Sequence, residues 1–142
     1  MSDSIPPGFQ PACKILIVDD EEAVGEFLSD ALLNYAKDTR YEVRYANGGQ
    51  AALKIANEFE PDVAIVDIKM QHMWGDELIR RFQSGEAHTP KDFIIFTGTD
   101  TQEFRKKAAN AGYTFLTKTA GMEDVFDAVK KICIKHKLLE KI

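Results

Sequence analysis

Hydrophobic and polar positions along the chain follow two alternating patterns. Residues 14–18 form a short apolar, β-branched run that ends in acids, and they read as a buried strand. Residues 21–37 then place Val24, Phe27, Leu28, Ala31, Leu32 and Tyr35 at helical spacing. Residues 41–46 alternate as a strand does, and residues 48–59 are helical up to the stop at Pro61. Residues 63–66 are a second buried run, ending at Asp67, and residues 76–83 a short helix. Residues 93–96 end at Thr97. A helix over 101–111 is closed by Gly112, a fifth strand covers 113–117, and a last helix runs from Met122 to about Leu139. Strands and helices in strict alternation predict an α/β fold whose parallel sheet is covered on both faces. Right-handed crossovers leave few topologies, and the flavodoxin-like, doubly wound order 2-1-3-4-5 with five helices is the expected one. Residues 1–12, with Pro6, Pro7, Gly8 and Pro11, read as a flexible lead-in, which leaves 13–142 as one domain.

Composition narrows the function. The 142 residues are 44% hydrophobic, and a chain of this length can bury a core without needing a disulfide or a structural metal to fold. Charge stands at 18 basic against 23 acidic residues, a net of −5, which disfavours direct nucleic-acid binding and suits a protein that holds a cation. Cys13 and Cys133 belong to no CxxC or Cys/His cluster, so they are not zinc ligands; as two isolated cysteines they fit a reducing cytoplasm. No signal peptide and no membrane-length apolar run is expected.

In a sheet of this kind, ligands bind beyond the carboxyl ends of the strands. Strand 1 ends in Asp19 and Asp20, strand 3 in Asp67, strand 4 in Thr97, and strand 5 just before Lys118. Crowded carboxylates repel one another and need a cation. Hard oxygen donors without His or Cys point to Mg²⁺, which also takes phosphate oxygens. Lys118 is a point charge suited to a phosphoryl group, and the Thr97 hydroxyl can donate to it. Asp67, at the centre, can act as a carboxylate nucleophile and become an aspartyl phosphate. Taken singly, an acidic pair after a strand can be a helix cap and a lone lysine a surface charge; the convergence of all five residues on one rim is the specific signal.

From about Lys14 to about Leu138 the sequence resembles the receiver domain of response regulators, the partners of sensor histidine kinases. The resemblance rests on the run from Ile15 to Glu21, on Asp67, Met70, Met73, Gly75, Glu77 and Leu78, on Phe96, Thr97 and Gly98, and on the run from Phe115 to Lys118. It implies that Asp67 takes the phosphoryl group from a histidine of the kinase or of a phosphotransfer protein. It implies that Asp20, Asp67 and the backbone carbonyl of Lys69 bind Mg²⁺, with Asp19 acting through water. Thr97 and Lys118 would bind phosphoryl oxygens, and Phe115 would be the aromatic switch that signals to a downstream effector or an output domain. Such a domain is a signalling module rather than a turnover enzyme, and works in the cytoplasm.

Three positions depart from the family's pattern: Gln71 stands where a proline is usual, Thr119 follows the lysine where a proline is usual, and Lys69 falls at a variable place. A cis bond before Thr119 would cost about 3 kcal/mol, so a trans bond or local strain is expected. Lys69 is long enough to lean over a phosphoryl group. His72 reads as an exposed loop residue and Trp74 as a partly buried cap on the rim. Gly48 and Gly49 lack a dinucleotide fingerprint, and the lysines of the last helix read as a solvated face. A haloacid-dehalogenase-like phosphatase is a poor rival, because no Asp-x-Asp pair follows a strand. The other alternative is a receiver-like interaction module not controlled by phosphorylation. In the last helix Val125, Val129, Ile132 and Leu139 are spaced by four, three and seven, as on a heptad seam that His136 would break. Val125, Phe126 and Val129 are most simply core, while Ile134, Leu138, Leu139 and Ile142 beyond them raise a phosphorylation-dependent homodimer, a lead into an output segment, or a terminal helix folded back on its own domain.

Overall fold

The computed structural model of the chain describes residues 13–35 and 41–136. The lead-in over 1–12 and the apolar end of the last helix, with Leu138, Leu139 and Ile142, lie outside the described residues. Ten elements alternate along the chain: β1 (Cys13–Val18), α1 (Glu22–Tyr35), β2 (Tyr41–Ala46), α2 (Gly49–Phe59), β3 (Val63–Val66), α3 (Gly75–Gln83), β4 (Asp92–Thr97), α4 (Gln102–Ala111), β5 (Thr114–Thr117) and α5 (Met122–Lys135). The strands are parallel and ordered β2-β1-β3-β4-β5, as expected from the alternation. Element ends move by a residue or two. Thr101, for example, stands before α4 as its cap, its hydroxyl oxygen accepting from the Phe104 N–H at 3.2 Å.

Strand periodicity divides the core in two. Ile15, Ile17, Val63, Ile65, Ile94 and Phe96 face one side and pack with Leu28 and Leu32 of α1 and with Val125, Val129 and Ile132 of α5. Their neighbours Leu16, Val18, Ala64, Val66, Phe93 and Ile95 face the other side, against Leu53 and Ala56 of α2, Leu78 and Phe82 of α3, and Ala108 of α4. Both faces of the central strands are therefore dry, which is why β1, β3 and β4 are unbroken apolar runs rather than alternating ones. α2 stops at Phe59 because Glu60 turns left-handed (φ 53°) and Pro61 cannot extend the helix.

One expectation is corrected at the edge of the sheet opposite the strands' carboxyl ends. Cys13 and Cys133 are not isolated: β1 begins where α5 passes, and the two form a disulfide with Cα atoms 6.4 Å apart, both side chains fully buried. Sequence separation hid the pair, since a strand start and a helix end meet only in the finished fold. Val125 and Val129 pack into the domain's own core, as expected for the first part of the helix, and Ile132 joins them. His136, at the C-cap of α5, turns to the buried carboxylate of Asp92, with Nε2 3.2 Å from Oδ2.

A crosslink across 120 residues restricts the unfolded chain strongly. Reduction should therefore lower unfolding stability by about 2–5 kcal/mol. Urea denaturation with and without a thiol reductant checks this, and the doubly substituted Cys13→Ala, Cys133→Ala protein should show no response to reductant.

Candidate functional site

Asp19, Asp67 and Lys118 each stand one step past a strand end, and the parallel ladder fixes them there. The Asp19 N–H donates to the Ala46 carbonyl at 3.2 Å, the Asp67 N–H to the Val18 carbonyl at 3.0 Å, and the Lys118 N–H to the Thr97 carbonyl at 2.9 Å. Each backbone bond carries the sheet's pattern one residue beyond its strand, so side-chain direction is set by the sheet and not by a loop.

Three carboxylates meet here. Ligand atoms of Asp19, Asp20 and Asp67 all lie within 4.8 Å of one another. Asp19 and Asp67 are buried, at 2% and 5% exposure, and Asp20 is half-buried. Between them sits the ammonium of Lys118, donating to Asp19 Oδ2 at 2.8 Å, to Asp67 Oδ2 at 3.0 Å and to Glu21 Oε1 at 3.0 Å. Burial opposes the charge on Lys118, but the hydrogen bonds to Asp19, Glu21 and Asp67 outweigh it and hold its pKa above the ordinary lysine value. Burial raises the pKa of Asp19 above 3.8, against the lowering effect of its bonds from Lys118 and the Glu21 N–H. A set of hard carboxylate oxygens at this spacing fits Mg²⁺ or a cation like it, and nothing in the set is soft enough to favour zinc or copper.

The chain matches the family model described as the response regulator receiver domain over residues 15–130. It belongs to that family. It is 28% identical to the response regulator GacA of Pseudomonas aeruginosa, over 84% of this chain and 54% of that protein. With the regulatory protein AtoC of Escherichia coli it shares 31% identity over 79% of this chain but only 23% of AtoC. The chain thus spans about half or less of these relatives. Among solved structures it resembles the chemotaxis protein CheY4 of Vibrio cholerae, with a TM-score of 0.70 and 28% identity over 84% of this chain and 98% of that one. The receiver domain of a putative Luxo repressor from Vibrio parahaemolyticus matches in fold, with a TM-score of 0.75 at 20% identity over 89% and 93% of the two chains.

Within this receiver domain the expected residues are brought together unequally. Asp19, Asp67 and Lys118 are in direct contact, with Asp20 beside them. Thr97 is fully buried at the end of β4, and its hydroxyl oxygen accepts from the Thr99 N–H at 3.1 Å. Phe115 is half-buried on β5 under the Arg105 guanidinium, 4.8 Å from the ring centre. The exposed ammonium of Lys69 rests 5.8 Å from the centre of the Trp74 ring. Trp74 is less covered than a rim cap would be, at 45% exposure, with Phe104 leaning on it. His72 is exposed, as expected, in left-handed backbone (φ 69°). No peptide bond among the described residues is cis, so Lys118–Thr119 is trans.

Four supporting residues carried no sequence signal strong enough to assign a role. Glu21 is the third carboxylate on Lys118. Tyr45 donates its hydroxyl to the Asp19 carbonyl at 2.7 Å; burial, and then the negative field of Asp19 and its neighbours, raise its pKa and keep it a donor. The Gln71 N–H donates to Asp20 Oδ2 at 3.0 Å, a bond that proline in this place could not make. Gly75 opens α3 so close to the Asp67 carbonyl that a β-carbon would collide with it, and its N–H donates to the Ile68 carbonyl at 2.7 Å.

Lys118→Met would leave two nearly dry carboxylates facing each other without a cation. Lys118 is 19% exposed, so the expected loss is at the low end for a broken buried pair, about 3 kcal/mol near neutral pH. The folded protein binds a proton at Asp19 more tightly than the unfolded chain does, so acid should shrink this loss, beginning above pH 3.8. Urea denaturation of both proteins at several pH values checks the size and the direction.

Proposed function

We propose that this receiver domain accepts a phosphoryl group on Asp67 from a phosphohistidine of a sensor kinase or phosphotransfer protein, with Mg²⁺ bound at Asp19, Asp20 and Asp67. The observation that carries the reading is the contact of Lys118 with two buried carboxylates at adjacent strand ends, at 2.8 and 3.0 Å. Asp67 presents a carboxylate oxygen to phosphorus; the new O–P bond forms as the P–N bond to the donor's imidazole breaks, and the imidazole nitrogen keeps the electron pair. Mg²⁺, when bound, neutralises charge on the transferring group. Lys118 then exchanges Asp67 Oδ2 for a phosphoryl oxygen, supplying a positive charge already in place. Asp20, Asp67 and the Lys69 carbonyl would hold the cation, with Asp19 acting through water. The Thr97 hydroxyl turns from the Thr99 N–H to the phosphoryl group, and Phe115 follows into the space released on the β4–β5 side. An effector or output domain reads that change. The domain serves as a switch and not as an enzyme of turnover.

A cleft of about 350 Å³ beside the site suits the donor. It is lined by Val24, Phe27 and Leu28 of α1, Phe96, Lys118 and Met122, and Phe27 stands 60% exposed at its edge. An apolar surface that ends at Lys118 lets a donor helix dock within reach of Asp67.

Incubation with Mg²⁺ and acetyl phosphate should add one phosphoryl mass to the intact protein, and Asp67→Asn should take up none. Equal labelling of the variant would sink the reading, and no labelling of the wild type would leave the interaction module that works without phosphorylation. Phe27→Ala should slow transfer from a phosphohistidine donor about ten-fold, as expected for losing one buried aromatic anchor worth more than 1 kcal/mol. The same change should slow labelling by acetyl phosphate much less; equal slowing of both would remove the docking role.

A further inference from the structure

Lys118 has three partners, and one of them is not part of the buried pair. Asp19 and Asp67 are 2% and 6% exposed in their side chains, whereas Glu21 is 65% exposed and approaches the ammonium from the solvent side. Its main chain is fixed in both directions. The Glu21 N–H donates to Asp19 Oδ1 at 2.8 Å, and its carbonyl accepts from the Val24 N–H at 3.0 Å and the Gly25 N–H at 3.2 Å as α1 begins. An exposed glutamate ordinarily loses more in side-chain freedom than it gains from one ion pair. Here the launching point is rigid, because the same residue caps the Asp19 carboxylate and opens the helix, so less freedom remains to be lost.

The arrangement has a consequence for Lys118 once its inner partners are engaged elsewhere. A divalent cation on Asp19, Asp20 and Asp67 would repel the ammonium and take the charge of two of its three partners. Glu21 is then the one carboxylate of the three that remains for Lys118. We propose that Glu21 is a positioning residue that holds Lys118 at the rim of the site from the outer side, so that the ammonium stays in place for an anionic phosphoryl group when the metal is bound. The inference rests on the phosphoacceptor reading and adds to it a residue that touches neither metal nor phosphoryl group.

Its sign distinguishes it from a simple field effect. Removing a negative charge beside an anion site would by itself strengthen anion binding. Removing a tether weakens it, because Lys118 must then be ordered when the anion arrives. The probe is beryllofluoride, titrated by fluorine NMR at Mg²⁺ concentrations saturating for each variant, so that metal affinity does not enter. Glu21→Gln should weaken beryllofluoride binding about three-fold, the value of one partly exposed ion pair. In a Lys118→Ala background the same substitution should produce no weakening, since there is no ammonium left to hold. Unchanged or tighter binding in Glu21→Gln overturns the inference, and so does an equal weakening in the absence of Lys118. If the wild-type domain binds no beryllofluoride with Mg²⁺ present, the phosphoacceptor reading itself falls, and this inference with it.

Discussion

Asp19 and Asp67 stand almost dry at neighbouring strand ends, and the ammonium of Lys118 donates to both at once. Two carboxylates without it would repel each other in a place where water cannot screen them. The cost of this crowding is also what makes the site useful. On the proposed reading a cation would relieve it, and a phosphoryl group would meet an ammonium already in place. The neutralising charge comes from the far end of the chain, on a strand that reaches the site only because β4 lies between it and β3.

Rigidity around that cluster comes from the backbone. Ladder bonds at Asp19, Asp67 and Lys118 extend the sheet's spacing past its formal ends, so the three side chains keep the separations of neighbouring strands. Tyr45 fixes the Asp19 carbonyl from β2, Gln71 fixes the Asp20 carboxylate from the loop before α3, and Gly75 lets α3 start against Asp67. At Thr97, by contrast, the hydroxyl oxygen accepts from a neighbouring loop N–H, which leaves its own proton to donate to an acceptor in the site.

The opposite edge of the sheet is closed by α5. The disulfide to Cys13 and the contact of His136 with Asp92 fasten the end of this helix to the starts of β1 and β4. The carboxyl edge of the sheet carries exchangeable ionic contacts, while the amino edge carries a covalent one.

The local pattern determined the elements, because dry central strands must be continuous apolar runs and the helices that cover them must show a 3.6-residue period. It also determined which end of each strand carries Asp19, Asp20, Asp67, Thr97 and Lys118, since parallel strands joined by right-handed crossovers all present their carboxyl ends to one rim. Those two facts are properties of short stretches and of chain handedness, and a single sequence contains both. What only the tertiary structure decided are pairings between distant stretches that no period encodes. Cys13 with Cys133, Glu21 with Lys118, Gln71 with Asp20 and Tyr45 with the Asp19 carbonyl each join residues whose types are ordinary for their own element. The same holds for Ile132, whose spacing fits a partner helix as well as the sheet beneath it; the packed core includes it beside Val125 and Val129, whose place the pattern already gave. Periodicity reports which side of an element is apolar; the closed core decides what that side meets.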